Sequence, residues 1–488
     1  MGKRIAVMGA GFGGIAAALR ARAKGNTVTL YEKGSQLGGR ARVFHRNGYR
    51  HDAGPTVITA PWLLQELFAL FGKNIADYVE LKELDLWYRF VYPDGSQFDY
   101  TKDLTNTLEQ IVKLNPKDEK GYKDLLAKSE EIFKVGFDQL ADKPFDQFIF
   151  MVKQVPSMIR LGAYQTVWKL VCQHLTHDKL RQAFSIQPLL VGGNPFDTTS
   201  IYSLIHYLER KWGVYYPMGG TGALVSALGK LMTEEGIAVQ LNTEIKNISV
   251  TEKTITGIET RLGEKIPCDV LISNADPITL YRKINHNKYK KNWKVLIREK
   301  FSRYSMGLFV LFFGTTKKYT SVAHHTIWLG QRYRELLLEI FHGKSLPNDF
   351  SLYIHRPTAS DPSFAPENCD SFYVLSPVPN LEAPIDWEVE GERYSKKIIA
   401  SLGKTILPDL DKCIVDPFFM TPKDFETDYL SEHGSGFSIA PLFYQSAWFR
   451  YHNKGEGIKN LYLVGAGTHP GAGLPGVLCS AKVVESLI

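Results

Sequence analysis

The stretch "KRIAVMGAGFGGIAAALRARAKGNTVTLYEKG" at positions 3–34 constrains this chain more than any other, because glycines 9, 11 and 14 spell GxGxxG inside a strand–helix–strand pattern. Lys3 to Met8 is an apolar run with little alternation, which predicts a buried strand. The chain turns at Gly9, and Ala16, Ala17 and Ala18 begin a helix of small residues. Arg20, Arg22 and Lys24 fall late in that helix, where cations suit its negative end. Gly25 and Asn26 stop it. A second strand, Thr27 to Tyr31, delivers Glu32 to its carboxyl end. The interval from Gly14 to Glu32 is close to the ~20 residues that place an acid on ribose hydroxyls. Gly9 permits the tight turn, Gly11 lets backbone approach a pyrophosphate, and Gly14 lets helix and strand pack closely. The helix start offers free N–H groups to phosphates. Glu32 repels a 2′-phosphate, so the expected ligand is a dinucleotide that lacks one.

A second glycine cluster, "NLYLVGAGTHPGAGLPGVLCSA", lies near the C-terminus. A strand from Leu461 to Val464 runs into Gly465, Gly467, Gly471, Gly473 and Gly476. Only 21 residues follow Gly467, enough for a loop and one helix but not for a returning strand with its own acid. The segment therefore completes the N-terminal domain, which must be discontinuous. Five glycines in twelve residues cost backbone entropy, which argues for more than a turn. One dinucleotide site with a second Gly-rich wall suits FAD, whose large reactive end needs enclosing.

At 488 residues the chain suggests two or three domains. Its net charge of +7 is too mild and dispersed to argue for nucleic acid. The five cysteines, 172, 268, 369, 413 and 479, are scattered without CxxC and read as reduced core thiols, with no metal site. No signal peptide precedes the first strand, and no window approaches the ~18 apolar residues of a membrane span. The predicted class is α/β, with five segments. Residues 1–75 are a first Rossmann-like nucleotide-binding segment, and 76–215 a largely helical substrate and membrane-associated region interrupted by the hairpin "WYRFVYPDGSQFDY". Residues 216–275 are a second nucleotide-binding segment, 276–420 a mixed α+β substrate domain, and 421–488 the third, flavin-proximal segment.

Several stretches together resemble the bacterial phytoene desaturases, within the FAD-dependent amine oxidase-like superfamily. "VMGAGFGGIAAALR", "LYEKGSQLGGRARV" and "HDAGPTVI" are shared widely in that superfamily. "LLVGGNPFDTTSIYSLIHYLERKWGVYYPMGGTGAL", "SAWFR" and "NLYLVGAGTHPGAGLPGVLCSAK" are closer to the carotenoid desaturases. The resemblance implies FAD, an apolar polyene such as phytoene, and lycopene formed by successive dehydrogenations. It implies that Gly9, Gly11, Gly14, Glu32, Gly39 and Arg40, with Phe12, Gly13 and Lys33 beside them, hold the adenosine diphosphate half. Gly54, Pro55 and Thr56 would lie near the flavin, and Gly465, Gly467, Gly473, Pro475, Gly476 and Val477 would close over it. The likeness departs at Ile149 and Phe150, where some relatives carry an Arg and an Asp, so no catalytic acid or base is named.

Desaturation removes a hydride and a proton from an allylic C–C bond. It needs a dry apolar tunnel and correct placement of the carbon more than polar groups. His174, His206, His324, His325 and His469 accordingly read as structural, His469 being the one in the flavin-proximal loop. A lipid-soluble substrate requires access to a bilayer. Residues 145–175 supply Phe148, Phe150, Met151, Met158, Ile159, Tyr164 and Trp168 interleaved with Lys153, Arg160 and Lys169. That composition suits a peripheral segment in the headgroup region, on the cytoplasmic side of a membrane. The bland alternative is a pair of core helices broken at Pro156. The electron acceptor would be oxygen or a quinone. Amine oxidation, cis–trans isomerisation of a carotene, desaturation of diapophytoene and non-enzymatic carotenoid binding stay open at this point.

Overall fold

A computed structural model describes residues 2–284 and 291–488. Positions 285–290 of the 276–420 region lie outside the described residues. The predicted first strand forms as Arg4–Met8 and sits at the centre of a five-stranded parallel sheet. The sheet order is Leu461–Leu463, Val270–Ser273, Arg4–Met8, Thr27–Tyr31, Ala238–Gln240. Strands from three distant parts of the chain therefore meet in one sheet. In it Ile5 pairs with Val270 and Val28, and Leu271 pairs with Leu461.

The helix Phe12–Ala23 is buried on nearly every side, from Phe12 to Ala21. This explains its small residues and its lack of a polar face. It lies on the sheet, and the C-terminal helix Leu474–Leu487 packs against it. Arg20 contributes more than a dipole contact. It is buried, and it pairs with Glu485 of the last helix at 2.6 Å and with Glu66 of the helix Pro61–Ala69 at 2.9 Å. Gly14 has the packing role expected of it, since a Cβ there would stand 2.0 Å from the Gly9 carbonyl oxygen.

A second, seven-stranded sheet runs in the order Ile414–Met420, Gly307–Thr315, Asp370–Val378, Leu352–His355, His325–Trp328, Leu86–Val91, Gln97–Thr101. The last two strands are the hairpin that the sequence division left inside the helical region 76–215. They join the sheet of the 276–420 region instead, because Arg89, Phe90 and Val91 pair in parallel with Thr326, Ile327 and Trp328. The hairpin's apolar face, with Phe90, Phe98 and Tyr100 buried, requires that partner. Helices from the 104–184 region pack on the hairpin end of this sheet, around Phe90, Phe98 and Tyr100, and residues of both sheets line the site between them.

Candidate cofactor and substrate site

A continuous cavity of about 910 Å³ extends from the first Gly-rich turn to the protein surface. Of the predicted cofactor residues, Gly9, Gly11, Phe12, Gly13, Glu32, Lys33, Gly39, Arg40, Gly54, Pro55, Thr56, Gly465, Gly467, Gly473, Pro475, Gly476 and Val477 line it. Gly14 does not; it serves the turn from behind.

The polar end is built by two Gly-rich loops meeting at one side chain. Asn274, just past the strand Val270–Ser273, lies between them, with Cβ positions on Gly11, Gly13 and Gly465 falling 2.5–2.8 Å from its amide atoms. Apart from Asn274, no described atom outside the local turn and helix stands within 4 Å of a Cβ built on Gly11, so this side of the backbone faces the cavity that it lines. Both oxygens of Glu32 are held by backbone: Ala10 N–H donates to Oε2 at 2.8 Å and Gly34 N–H to Oε1 at 2.7 Å. A carboxylate oxygen accepts more than one hydrogen bond, so each keeps capacity for a ribose hydroxyl. Arg40 donates to Ser431 Oγ and makes no ion pair among the described residues. Burial lowers its pKa from the ordinary value, partly offset by Tyr429 and Asp276. A desolvated guanidinium without a carboxylate suits a pyrophosphate. Open backbone, a fixed carboxylate and an uncompensated cation together fit the adenosine diphosphate half of FAD.

The second Gly-rich wall of the cavity is formed by residues 465–477, the loop expected to close over a flavin. Gly473 precedes the last helix, and Pro475 sits in its first turn. Arg450, from "SAWFR", supports this loop from beneath. It is buried and donates to the carbonyls of Ala466 (2.6 Å), Ile439 (2.9 Å) and Thr468 (3.0 Å). His469 bonds the Leu140 carbonyl at 3.2 Å, and burial pushes its pKa down to about 4, so it stands neutral. Burial also pushes the Cys479 thiol up to about 12, as befits a core residue.

Beyond the loop the cavity is apolar, walled by Leu189, Ile201, Leu208, Met306, Leu308 and Leu375. It reaches the surface beside the helix Phe148–Leu161, which runs through Pro156 and ends at Gly162 (φ 79°), rather than breaking at the proline. The segment 145–175 is not the uniform face its composition suggests. Met151 and Met158 turn into the cavity, and Phe150 packs on Phe145 at 5.0 Å. Trp168 packs between Phe196 (4.8 Å) and Tyr333 (5.8 Å). Phe148, Ile159 and Tyr164 are exposed, joined by Ile149, Val152 and Val155. Two further segments extend this apolar surface: Phe443, Tyr444 and Phe449, and the helix Trp293–Phe301 with Trp293, Leu296, Ile297 and Phe301 exposed. They converge on Trp448, whose ring lies 5.1 Å from Phe148 and whose carbonyl accepts from Arg298.

Asn274, Arg450 and His355 are the residues that sequence reasoning missed. Asn274 carries no signal in the sequence beyond following the apolar run 270–272. The Arg in "SAWFR" was a fragment of a likeness, without a partner to reveal its role. His355 gave no signal, since its neighbours His324 and His325 are thirty residues away.

Two layers of comparison agree with this architecture. The chain belongs to the flavin containing amine oxidoreductase family, whose profile matches residues 12–484. The fold is shared with an oxidoreductase from Methanosarcina mazei at a TM-score of 0.66 and 14% identity, over 99% of this chain and 100% of that one. Within the family the chain is similar to the lycopene-forming phytoene desaturase of Pseudescherichia vulneris, 46% identical over 100% of this chain and 99% of the relative. It is also similar to the lycopene-forming phytoene desaturase of Pantoea ananas, at 45% with the same coverage.

Proposed function

We propose that this protein is an FAD-dependent carotenoid desaturase that converts phytoene by successive dehydrogenations to lycopene at a membrane surface. The observation that carries the reading is the cavity itself. It runs from a dinucleotide-binding turn, past the Arg450-supported loop, down an apolar channel to a mouth ringed by exposed Val155, Ile159, Tyr164, Phe443 and Phe449. A polyene fits such a channel, and full-length identity to two lycopene-forming desaturases supports the product. FAD, bound against the Rossmann-like sheet, supplies the hydride acceptor. The protein's part is to exclude water and hold the reacting bond in place.

The membrane reading is supported by the mouth. Exposed apolar residues of two segments line it, the helix Trp293–Phe301 adjoins them through Trp448, and Lys153, Arg160 and Lys169 are exposed on the first segment. Aromatic and apolar side chains flanked by cations suit an interfacial, monotopic attachment on the cytoplasmic leaflet. No helix among the described residues is long and apolar enough to cross a membrane. A quinone in the bilayer, or oxygen, would reoxidise the cofactor.

The test is anaerobic mixing of oxidised holoenzyme with phytoene in liposomes. Bleaching of the flavin band, with about one new double bond per flavin and turnover restored by quinone or oxygen, is expected from two-electron chemistry. If phytoene leaves the flavin oxidised while reduced enzyme turns a poly-cis carotene into its trans form, the protein is an isomerase instead.

A further inference from the structure

Behind the channel wall, three imidazoles share one buried pocket. His325 and His355 face each other across antiparallel strands, and His324 precedes His325. One ring nitrogen from each lies within 4.8 Å of the others, and all three side chains are buried. This cluster is wired at both ends. Toward the channel, the hydroxyl of Tyr353, a cavity-lining residue, bonds Thr56 Oγ1 at 2.6 Å and His325 Nδ1 at 2.8 Å. Toward solvent, His324 Nδ1 bonds Ser360 Oγ at 2.8 Å, and Ser360 is partly exposed. The Nε2 atoms of His324 and His325 and both ring nitrogens of His355 have no hydrogen-bond partner among the described residues.

A buried carboxylate completes the group. Asp52 Oδ2 lies 3.6 Å from His355 Nε2, and both side chains are fully buried. Asp52 Oδ1 accepts from Thr221 N–H at 2.9 Å, at the start of the helix Gly220–Glu234, whose dipole favours a negative charge there. No Lys or Arg pairs with Asp52 among the described residues. The spacing favours one of two uses of such a cluster. Imidazoles on zinc sit ~2.0–2.1 Å from the ion, which draws their nitrogens to within about 3.5 Å of one another. Nitrogens up to 4.8 Å apart instead match hydrogen bonds of ~2.8 Å to one shared water.

We infer that Thr56, Tyr353, His325, His355, His324 and Ser360 form the path by which the proton released in each desaturation leaves the channel, with Asp52 as its countercharge. The inference rests on the desaturase reading. Each new double bond costs two C–H bonds. One hydrogen leaves as hydride to the bound flavin, the other as a proton whose bonding pair becomes the new C=C. That proton goes to the Tyr353 oxygen as the Tyr353 hydroxyl proton passes to His325 Nδ1, and the cluster delivers it to solvent at Ser360. Burial, with mutual repulsion, holds His324 and His325 well below the usual imidazole pKa, so both rest neutral with a lone pair free. Tyr353 is the group at the channel; the histidines act through it and are positioning residues.

The experiment compares wild type with Tyr353→Phe, His325→Gln and His324→Gln as FAD-loaded enzyme in phytoene liposomes with a quinone. Flavin content and the masses of all carotene products are read. Without the relay, the allylic cation persists until water entering from the channel mouth captures it: a C–O bond forms, and the resulting oxonium passes its proton to a second entering water. The expected result is unchanged flavin content, desaturation reduced by ~100-fold, the scale of lost acid–base help, and a new share of products carrying one added water. His324→Gln, remote from the channel, gives the same shift in product masses if Tyr353→Phe proves unstable. A parallel fall of all products with no hydrated carotene makes the cluster merely structural and overturns the inference. One equivalent of zinc in purified wild type, lost in His355→Ala, overturns it in favour of a metal centre. Wild type that never reduces its flavin on phytoene refutes the desaturase reading, and the relay with it, before any variant is compared.

Discussion

Replacing Arg450 with Met should release the cofactor without unfolding the protein. The guanidinium is buried and donates to three carbonyls, two of them, Ala466 and Thr468, in the cavity-lining loop proposed to enclose the flavin. Hydrogen bonds to a charged donor contribute about 1.5–3 kcal/mol each. Against that stands the cost of burying a cation that no carboxylate pairs with among the described residues, and burial indeed lowers its pKa. Methionine fills similar volume and removes the buried charge, but leaves three carbonyls bare at about 1 kcal/mol or more each. The net loss is about 3 kcal/mol, of which about 2 kcal/mol falls on Ala466 and Thr468, corresponding to about 30-fold in FAD affinity. Titration of apoprotein with FAD, followed by flavin fluorescence, measures this directly. Arg450→Lys keeps the charge but cannot fork to three acceptors, so it should fall between wild type and Met. Unchanged FAD affinity in the Met variant would refute the idea that this side chain holds the loop.

Three other outcomes are expected. Gly11→Val puts a branched side chain where a Cβ already lies 2.8 Å from Asn274 Nδ2 and where backbone must approach pyrophosphate, so the purified protein should lose its flavin absorbance. Changing Ile149, Trp293 and Phe301 to Ser removes side chains that are 70%, 61% and 63% exposed, so stability should hold while binding to acidic liposomes weakens by several kcal/mol at ~25 cal/mol/Å²; unaltered flotation with liposomes would exclude this face. Burial depresses His51, His206 and His469 to about 4, so each binds its proton more readily unfolded than folded. Their contribution is complete above about pH 6.5 and is lost as pH falls toward 4. Burial raises Glu209 to about 7, with the opposite sign between about 4.5 and 7. Thermal melts should therefore fall on acidification below about pH 6.5, more steeply in Glu209→Gln; melts flat from pH 7 to 4.5 would contradict this.

The nucleotide end of the site was legible in the sequence because its chemistry is local. Turn, helix start and the acid after the second strand lie within 34 residues, and each is a residue type that spacing alone exposes. The last segment meets the first in three dimensions: Leu461–Leu463 sits in the sheet of Arg4–Met8, one strand removed. Composition could not say which way side chains of the 145–175 segment point. Met151 and Trp168 look as apolar as Phe148 and Ile149, and only packing against the channel and against Phe196 separates them. The same holds for the groups that act across long separations. Arg20 meets Glu485, Arg450 meets the carbonyls of a loop beyond the next strand, and His325 meets His355 because two strands pair in one register. Hydrogen bonds and ion pairs at such distances carry no periodicity in the chain. They exist only after two sheets have folded around a common cavity, and that step belongs to the tertiary structure.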